Sequence, residues 1–290
     1  AGGRRARDAP RVRNDEAGVG VTAVGELVAH GRSADVHSLT TATVVKVFHD
    51  DWPDEAIGRE VEDATAAFDL GLTPIRCRGR ADADGRRAVV FDRIEGVALT
   101  TVAEKNPLRM GRVARALAQE HARIHRVASD RFPDVRDVAA DLVGAAPFAG
   151  LTARERAALL DHLASLPGGE SVLHLDFHPM NVFRHGGGIA TIDWQSTACG
   201  DPAADVAMTR LLFTEAELFP GATRAQLLVY GAARGAMGRM YLKEYLDVTG
   251  MTTARLDRWA TAARVLRLGM LDIPSERERL LRGIRSVIAR

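Results

Sequence analysis

The chain has 290 residues, 46% of them hydrophobic and 27% charged, the balance of a globular protein long enough to bury its own core. Its 39 Lys and Arg stand against 38 Asp and Glu, so a net charge of +1 gives no whole-chain attraction to nucleic acid or to a membrane surface. Only Cys77 and Cys199 are present, which excludes a disulfide framework and a Cys-rich zinc module, and no apolar run approaches the roughly 18 residues of a membrane span.

Residues 1–19 read as a flexible tail: the first 15 carry five Arg and three Gly or Pro without apolar periodicity, and Asp8 and Asp15 dilute the alternative of a basic nucleic-acid arm. No apolar h-region marks a secretory signal, so a cytoplasmic enzyme or binding protein is expected; the first residue is Ala, which leaves room for an upstream piece. From 20 to 94 the text is strand-like. Gly25-Glu26-Leu27-Val28 leads to the turn Gly31-Arg32-Ser33-Ala34, and β-branched runs follow at 35–39 and 43–48, an antiparallel meander pattern. Ile57, Val61, Ala64 and Phe68 recur at i, i+4, i+7 and i+11, which predicts a helix over 54–69. Two more strands are predicted near 74–79 and 87–93, before a break at Gly96. Beyond it, helices are predicted at 107–128, 152–165, about 202–217, 223–247 and 253–288, the last broken near Pro274. Asp201-Pro202 is an N-cap and first-turn pair, so a helix starts there. A stretch of short strands and polar loops, 171–201, lies among the helices. The fold class is α+β: a small β-rich N-lobe, 20–94, and a larger, mainly helical C-lobe, 95–290.

The densest polar run is His174-Leu175-Asp176-Phe177-His178-Pro179-Met180-Asn181, and Ile192-Asp193-Trp194 follows it. Asp176, Asn181 and Asp193 thus sit on loops between short strands, and three readings compete. They are polar residues capping turns; or His174, Asp176 and His178, alternating as H-x-D-x-H, hold a zinc or manganese ion for hydrolysis. Or they carry phosphoryl transfer, in which a loop Asp takes the hydroxyl proton while an Asn five residues later and a separate Asp hold magnesium. The third reading demands a strand Lys and a helix Glu upstream. Lys46 stands in Val44-Val45-Lys46-Val47-Phe48, where the alternative is an edge-strand lysine facing solvent. At about 100° per residue Glu60 lies roughly 60° from Ile57 and flanks the apolar face, whereas Glu62 lies roughly 140° away on the solvent side. The Gly31 to Ala34 turn, through Gly31 and Ser33, is a candidate phosphate cover, and a plain hairpin explains it equally well.

These motifs, with Phe91-Asp92-Arg93-Ile94-Glu95-Gly96 and Gly200-Asp201-Pro202-Ala203-Ala204-Asp205, resemble the aminoglycoside phosphotransferase-like and choline-kinase-type family of small-molecule kinases, over about 25–215. The resemblance implies a two-lobed protein-kinase-like fold and an ATP- and magnesium-dependent transfer to a hydroxyl of an antibiotic or metabolite, with GTP as an alternative nucleotide. It implies Asp176 as catalytic base, Asn181 and Asp193 as magnesium ligands, Lys46 on the nucleotide phosphates and Glu60 as its partner. The backbone of Asp92, Arg93 and Ile94 is implied to read the adenine edge, and Asp205 to brace the catalytic loop. Gln195 departs from the pattern, which often has Glu after the Trp. Only seven residues separate Asp193 from Asp201, too few for the activation segment of a protein kinase. A metal-dependent hydrolase and a nucleotide-binding scaffold remain the alternatives.

The segment 203–290 has 14 Lys and Arg against 9 Asp and Glu, so the expected acceptor is neutral or weakly charged rather than a polycationic aminoglycoside. Trp194, Trp259 and Cys199 are expected in the core, and Tyr241 and Tyr245 at an amphipathic helix edge. His121 and His125 stand at i, i+4 with no third metal ligand evident. The sequence gives no oligomeric state.

Overall fold

The computed structural model describes residues 19–21, 24–217 and 223–288. Residues 1–18 of the expected tail therefore lie outside the described residues. The chain divides into two compact units: residues up to Val61 with Arg76–Arg93, and Glu62–Ile75 with Ile94 onward. Together they give the expected α+β class, strands first and helices after.

The first unit is a six-stranded sheet in the order β1-β5-β6-β4-β3-β2. Its strands are β1 (Val19–Val21), β2 (Leu27–His30), β3 (Ala34–Ser38), β4 (Thr43–Phe48), β5 (Cys77–Ala83) and β6 (Arg86–Asp92), and helix α1 (Asp54–Asp69) starts between β4 and β5. Val19 thus belongs to a strand rather than to the tail; the Val-Gly-Val segment pairs parallel with the edge of β5, a partner that lies 62 residues away and leaves no local pattern. Gly31 donates its N–H to Ala34 O at 2.9 Å, and a Cβ there would meet that oxygen at 2.6 Å, so the β2–β3 turn requires glycine. Asp84 and Gly85, both at positive φ, close β5 onto β6 in a two-residue hairpin. This hairpin moves the expected strands at 74–79 and 87–93 to 77–83 and 86–92. Val45 and Val47 bury one face of β4 with Ala81, Ala83, Ala88 and Val90. Alternation then puts Lys46 on the other face. Because β4 runs between β3 and β6, Lys46 is an interior-strand lysine and not an edge one.

The second unit begins with β7 (Gly96–Ala98) and α2 (Leu99–Lys105), followed by α3 (Met110–Ile124), α4 (Val135–Leu142) and α5 (Ala153–Ala164). Four short strands come next: β8 (Ser171–Leu173), β9 (Val182–His185), β10 (Gly188–Thr191) and β11 (Ala198–Gly200). The chain closes with α6 (Pro202–Thr214), α7 (Arg224–Thr249), α8 (Thr253–Arg258), α9 (Ala260–Leu271) and α10 (Pro274–Ile288). Asp201 caps α6 by accepting the Ala203 N–H at 2.8 Å, with Pro202 at the first helical position. The expected helix 107–128 is shorter, because Pro107 begins a 3-10 turn and α3 ends at Ile124. The expected helix 253–288 is three helices, broken at Trp259 and at Asp272, which ends α9 in the left-handed region just before Pro274. One core of Leu, Val, Phe and Trp side chains fills this unit, with Trp194 and Trp259 inside it as expected. Among the described residues no helix is long and apolar enough to cross a membrane.

Candidate active site

In the first unit Lys46 Nζ donates to Glu60 Oε1 at 2.6 Å, with the side chains 12% and 3% exposed. Burial this deep makes the pair structural as well as electrostatic: either partner alone would be a desolvated charge. Glu62 is exposed, as the helix geometry predicts. The Asp92 N–H donates to Arg76 O at 2.9 Å and the Arg93 N–H to Ala42 O at 2.8 Å, so the sheet uses both. Of the three residues expected to read a base, Ile94 alone has an N–H with no such bond among the described residues.

In the second unit the polar run forms the loop from β8 to β9. His174 is fully buried; its Nδ1 accepts the Asp176 N–H at 3.3 Å and its Nε2 donates to Ile192 O at 3.0 Å. Both ring nitrogens are committed, so the H-x-D-x-H set for zinc or manganese is not assembled. The next residue, Leu175, has φ 57°, a left-handed conformation costly for a branched side chain. The loop holds it because Asp205 accepts the N–H groups of His174 and, at 3.0 Å, Leu175.

Asp205 is completely buried and draws on two more elements. His125 Nε2 lies 3.2 Å from Oδ2, and His121 Nε2 lies 3.0 Å away at an angle too oblique for a full hydrogen bond. Tyr241 OH and Tyr245 OH, on α7, donate to His121 Nδ1 at 2.7 Å and His125 Nδ1 at 2.6 Å. Burial alone would raise the Asp205 pKa, but the two imidazoles facing it hold it well below the usual carboxylate range. Burial, then the neighbouring His125, pushes His121 down to about 4, and burial pushes both tyrosines up. Neutral hydroxyls therefore donate to the two rings, and the neutral imidazole of His121 faces an ionised carboxylate. His121 and His125 do meet a third titratable group, 80 residues beyond His125, yet each ring already holds a tyrosine on one nitrogen and faces Asp205 with the other. This is a brace. The expectation that Tyr241 and Tyr245 lie at a helix edge gives way, since both are buried. One signal in the sequence pointed here: two His and two Tyr, each at i, i+4, offset by the same 120 residues.

Asp176 is partly exposed, and its pKa lies below the usual value: burial raises it, but the charge and hydrogen bond of His178, then His174 and Arg267, lower it further. Asn181 Nδ2 donates to Asp176 O at 3.0 Å and reaches Oδ2 at 3.3 Å. That fixes the amide and leaves Oδ1 without a donor among the described residues. Asn181 O accepts the Ile192 N–H at 2.9 Å, one step beyond the Thr191–Val182 pair of the β9–β10 hairpin. Asn181 thereby stands opposite Ile192, the residue before Asp193, and Asp193 sits at φ 67°. An amide oxygen and a carboxylate are hard donors, so the set fits magnesium better than a soft metal. Cys199 is buried, with its thiol on Ser129 O.

The sequence profile of the phosphotransferase enzyme family matches residues 24–267. No curated protein matches the sequence. Among solved structures, the fold is similar to a thermostable mutant of aminoglycoside phosphotransferase APH(4)-Ia in ternary complex with ADP and hygromycin B, 15% identical, with a TM-score of 0.61 over 91% of this chain and 95% of that one. It is similar to choline kinase LicA from Streptococcus pneumoniae, 16% identical, TM-score 0.56, over 92% and 94%. The streptomycin–ATP complex of APH(2'')-IIa is 14% identical, TM-score 0.54, over 91% and 92%.

Proposed function

This chain belongs to the phosphotransferase enzyme family, and from that premise we propose that it transfers the γ-phosphoryl group of ATP, with magnesium, to a hydroxyl of a small molecule. The observation that supports this reading is the Asn181 side chain, tied through Nδ2 to Asp176 on a loop whose backbone pairs with Ile192, the neighbour of Asp193. Asp176, ionised at neutral pH, accepts the acceptor's hydroxyl hydrogen and aims its oxygen. That oxygen bonds to the γ-phosphorus, its proton passes to the carboxylate, and the bond to the bridging oxygen breaks with its electron pair left on ADP. Lys46, kept in place by Glu60, binds the nucleotide phosphates under the Gly31 to Ser33 turn. Asp92, Arg93 and Ile94 meet the base through carbonyls and the Ile94 N–H. Magnesium on Asn181 and Asp193 would neutralise charge on the phosphates. The remaining work is positioning, for which a loop held by Asp205 at two backbone N–H groups is suited. Such a reaction belongs in the cytoplasm, where ATP is supplied. Similar folds were solved in complex with hygromycin B and with streptomycin, and another is named a choline kinase; a small hydroxylated acceptor is the class proposed here.

The test is nucleotide consumption against a panel of hydroxylated antibiotics and metabolites. Asp176→Asn is expected to lower turnover by about 1,000-fold or more while Mg-ADP binding, read by calorimetry, is retained. Stoichiometric zinc in the protein, with ester cleavage in the absence of nucleotide, would overturn the reading in favour of the hydrolase. Mg-ADP binding without turnover of any acceptor would favour the scaffold.

A further inference from the structure

Three arginines from three helices gather round one carboxylate in the second unit. Glu276, near the start of α10, is 1% exposed; it accepts from Arg267 Nε at 2.8 Å and Nη2 at 3.0 Å, and from the Glu217 N–H at 2.6 Å. Arg267, on α9, is 11% exposed. Arg234, on α7, donates Nη1 to Ala216 O at 2.7 Å, but its Nε is buried without a partner among the described residues. Arg279, one turn beyond Glu276, donates to Glu215 O. The Glu215 carboxylate is already taken by Arg264 at 2.6 Å. Among the described residues Arg234, Arg267 and Arg279 therefore have Glu276 as their one buried counter-charge, and the sequence of 218–222 contains no acid.

Such an arrangement is costly as it stands. Burial, then the charge of Arg279, pulls the Arg234 guanidinium below its ordinary value, against the help of Glu276. A buried donor left unpaired costs its full desolvation. An anion supplied from outside would remove both costs, and guanidinium forks suit the two oxygens of a carboxylate or phosphate. The place is informative as well: Arg267 lies on α9, which packs against α6, the helix whose Asp205 holds the loop of Asp176. The cluster thus sits on the helices that support the group proposed to receive the acceptor's proton.

Resting on the phosphotransferase reading, we infer that Arg234, Arg267 and Arg279 bind an anionic group, carboxylate or phosphate, carried by the hydroxylated acceptor. A polyamine sugar or a quaternary ammonium alcohol would meet like charge there. The acceptor is then a hydroxy acid or a phosphorylated alcohol, and the weakly charged acceptor expected from the composition of 203–290 becomes one of defined sign.

The experiment compares glycerate, glycerol 3-phosphate, glycerol, choline and kanamycin as acceptors, by nucleotide consumption and by calorimetric titration into the nucleotide-free protein. An anionic acceptor is expected to exceed its neutral counterpart at least 10-fold in kcat/KM, glycerate and glycerol 3-phosphate separating the carboxylate from the phosphate. Arg234→Gln is expected to raise KM for that acceptor 10-fold or more, leaving KM for nucleotide and the rate with glycerol unchanged; Arg239→Gln, exposed on α7, should change nothing. Arg267→Gln alone would strand Glu276, so the double variant Arg267→Gln/Glu276→Gln is used beside it, with circular dichroism to confirm folding. Preference for choline, kanamycin or glycerol in an enzyme that binds Mg-ADP would overturn the anion site and leave the kinase reading intact. A protein that binds no nucleotide but saturates with glycerate or glycerol 3-phosphate, and loses that binding in Arg234→Gln, would keep the site and overturn the kinase reading. Absence of saturable binding and of turnover with both anionic compounds overturns the site.

Discussion

Glu60 and Glu62 differ by two positions on one helix and have opposite fates. Glu60 is 3% exposed on Lys46, and Glu62 faces water. Lys46→Ala is expected to lower kcat/KM about 100-fold, Glu60→Ala about 10-fold, and Glu62→Ala less than 2-fold, in steady-state kinetics with nucleotide as the varied substrate. Equal losses from the two glutamate variants would show that the ion pair does not serve the nucleotide. This contrast was legible in the sequence because helical geometry acts over three or four residues. The spacing of Asp176 and Asn181 was legible for the same reason, being set within one loop. The commitment of both His174 nitrogens was not, since it depends on Ile192 O, 18 residues away across a strand pairing. Nor was the arginine cluster, whose members come from three helices and count only once Glu276 is seen to be their shared partner.

At the scale of elements, α3 and α7 are joined by two hydrogen bonds of identical offset, so they run in the same direction side by side. Each tyrosine hydroxyl is the donor that keeps an imidazole nitrogen satisfied in the core. Tyr245→Phe and Tyr241→Phe should each cost about 1–2 kcal/mol in urea unfolding, the price of a buried acceptor left unmade. A loss below about 0.3 kcal/mol would mean that the histidines take the other tautomer and need no donor. The long amphipathic helices were readable from their periodicity; α2 and α4, of seven and eight residues, were not, because two turns carry too few apolar positions to establish a period. The break before Pro274 was legible from the proline itself; the one at Trp259 was not, because the apolar pattern runs on through it.

For the molecule as a whole, the buried imidazoles set the response to acid. The His121 pKa is about 4 when folded, lowered by burial and then by His125 and His174 against the opposing pull of Asp205, with Tyr241 and Tyr245 also facing the ring, versus about 6.5 for an unfolded chain. Between those values the unfolded chain binds a proton that the folded one refuses, so stability falls as pH drops from about 6.5 to about 4. His162, lowered by burial and then by Arg258, acts in the same direction. From pH 7 to 5 the loss assigned to His121 is about 2 kcal/mol, and urea unfolding at the two values measures it. His121→Asn should flatten that slope; an unchanged slope would place the acid sensitivity elsewhere. Below about pH 4 the Asp205 carboxylate, lowered in the folded state, takes over the loss. The same carboxylate carries a consequence in time. It secures the β8–β9 loop through partners on α3 and α7, which stand 120 residues apart in the chain. Closing so long a loop is among the slower events of folding. Helices and sheet can therefore form while Asp176 is still unaimed, and synthesis must pass Tyr245 before the β8–β9 loop has its full set of supports. Competence arrives after shape, and nearly the whole chain must be made before any of it can work.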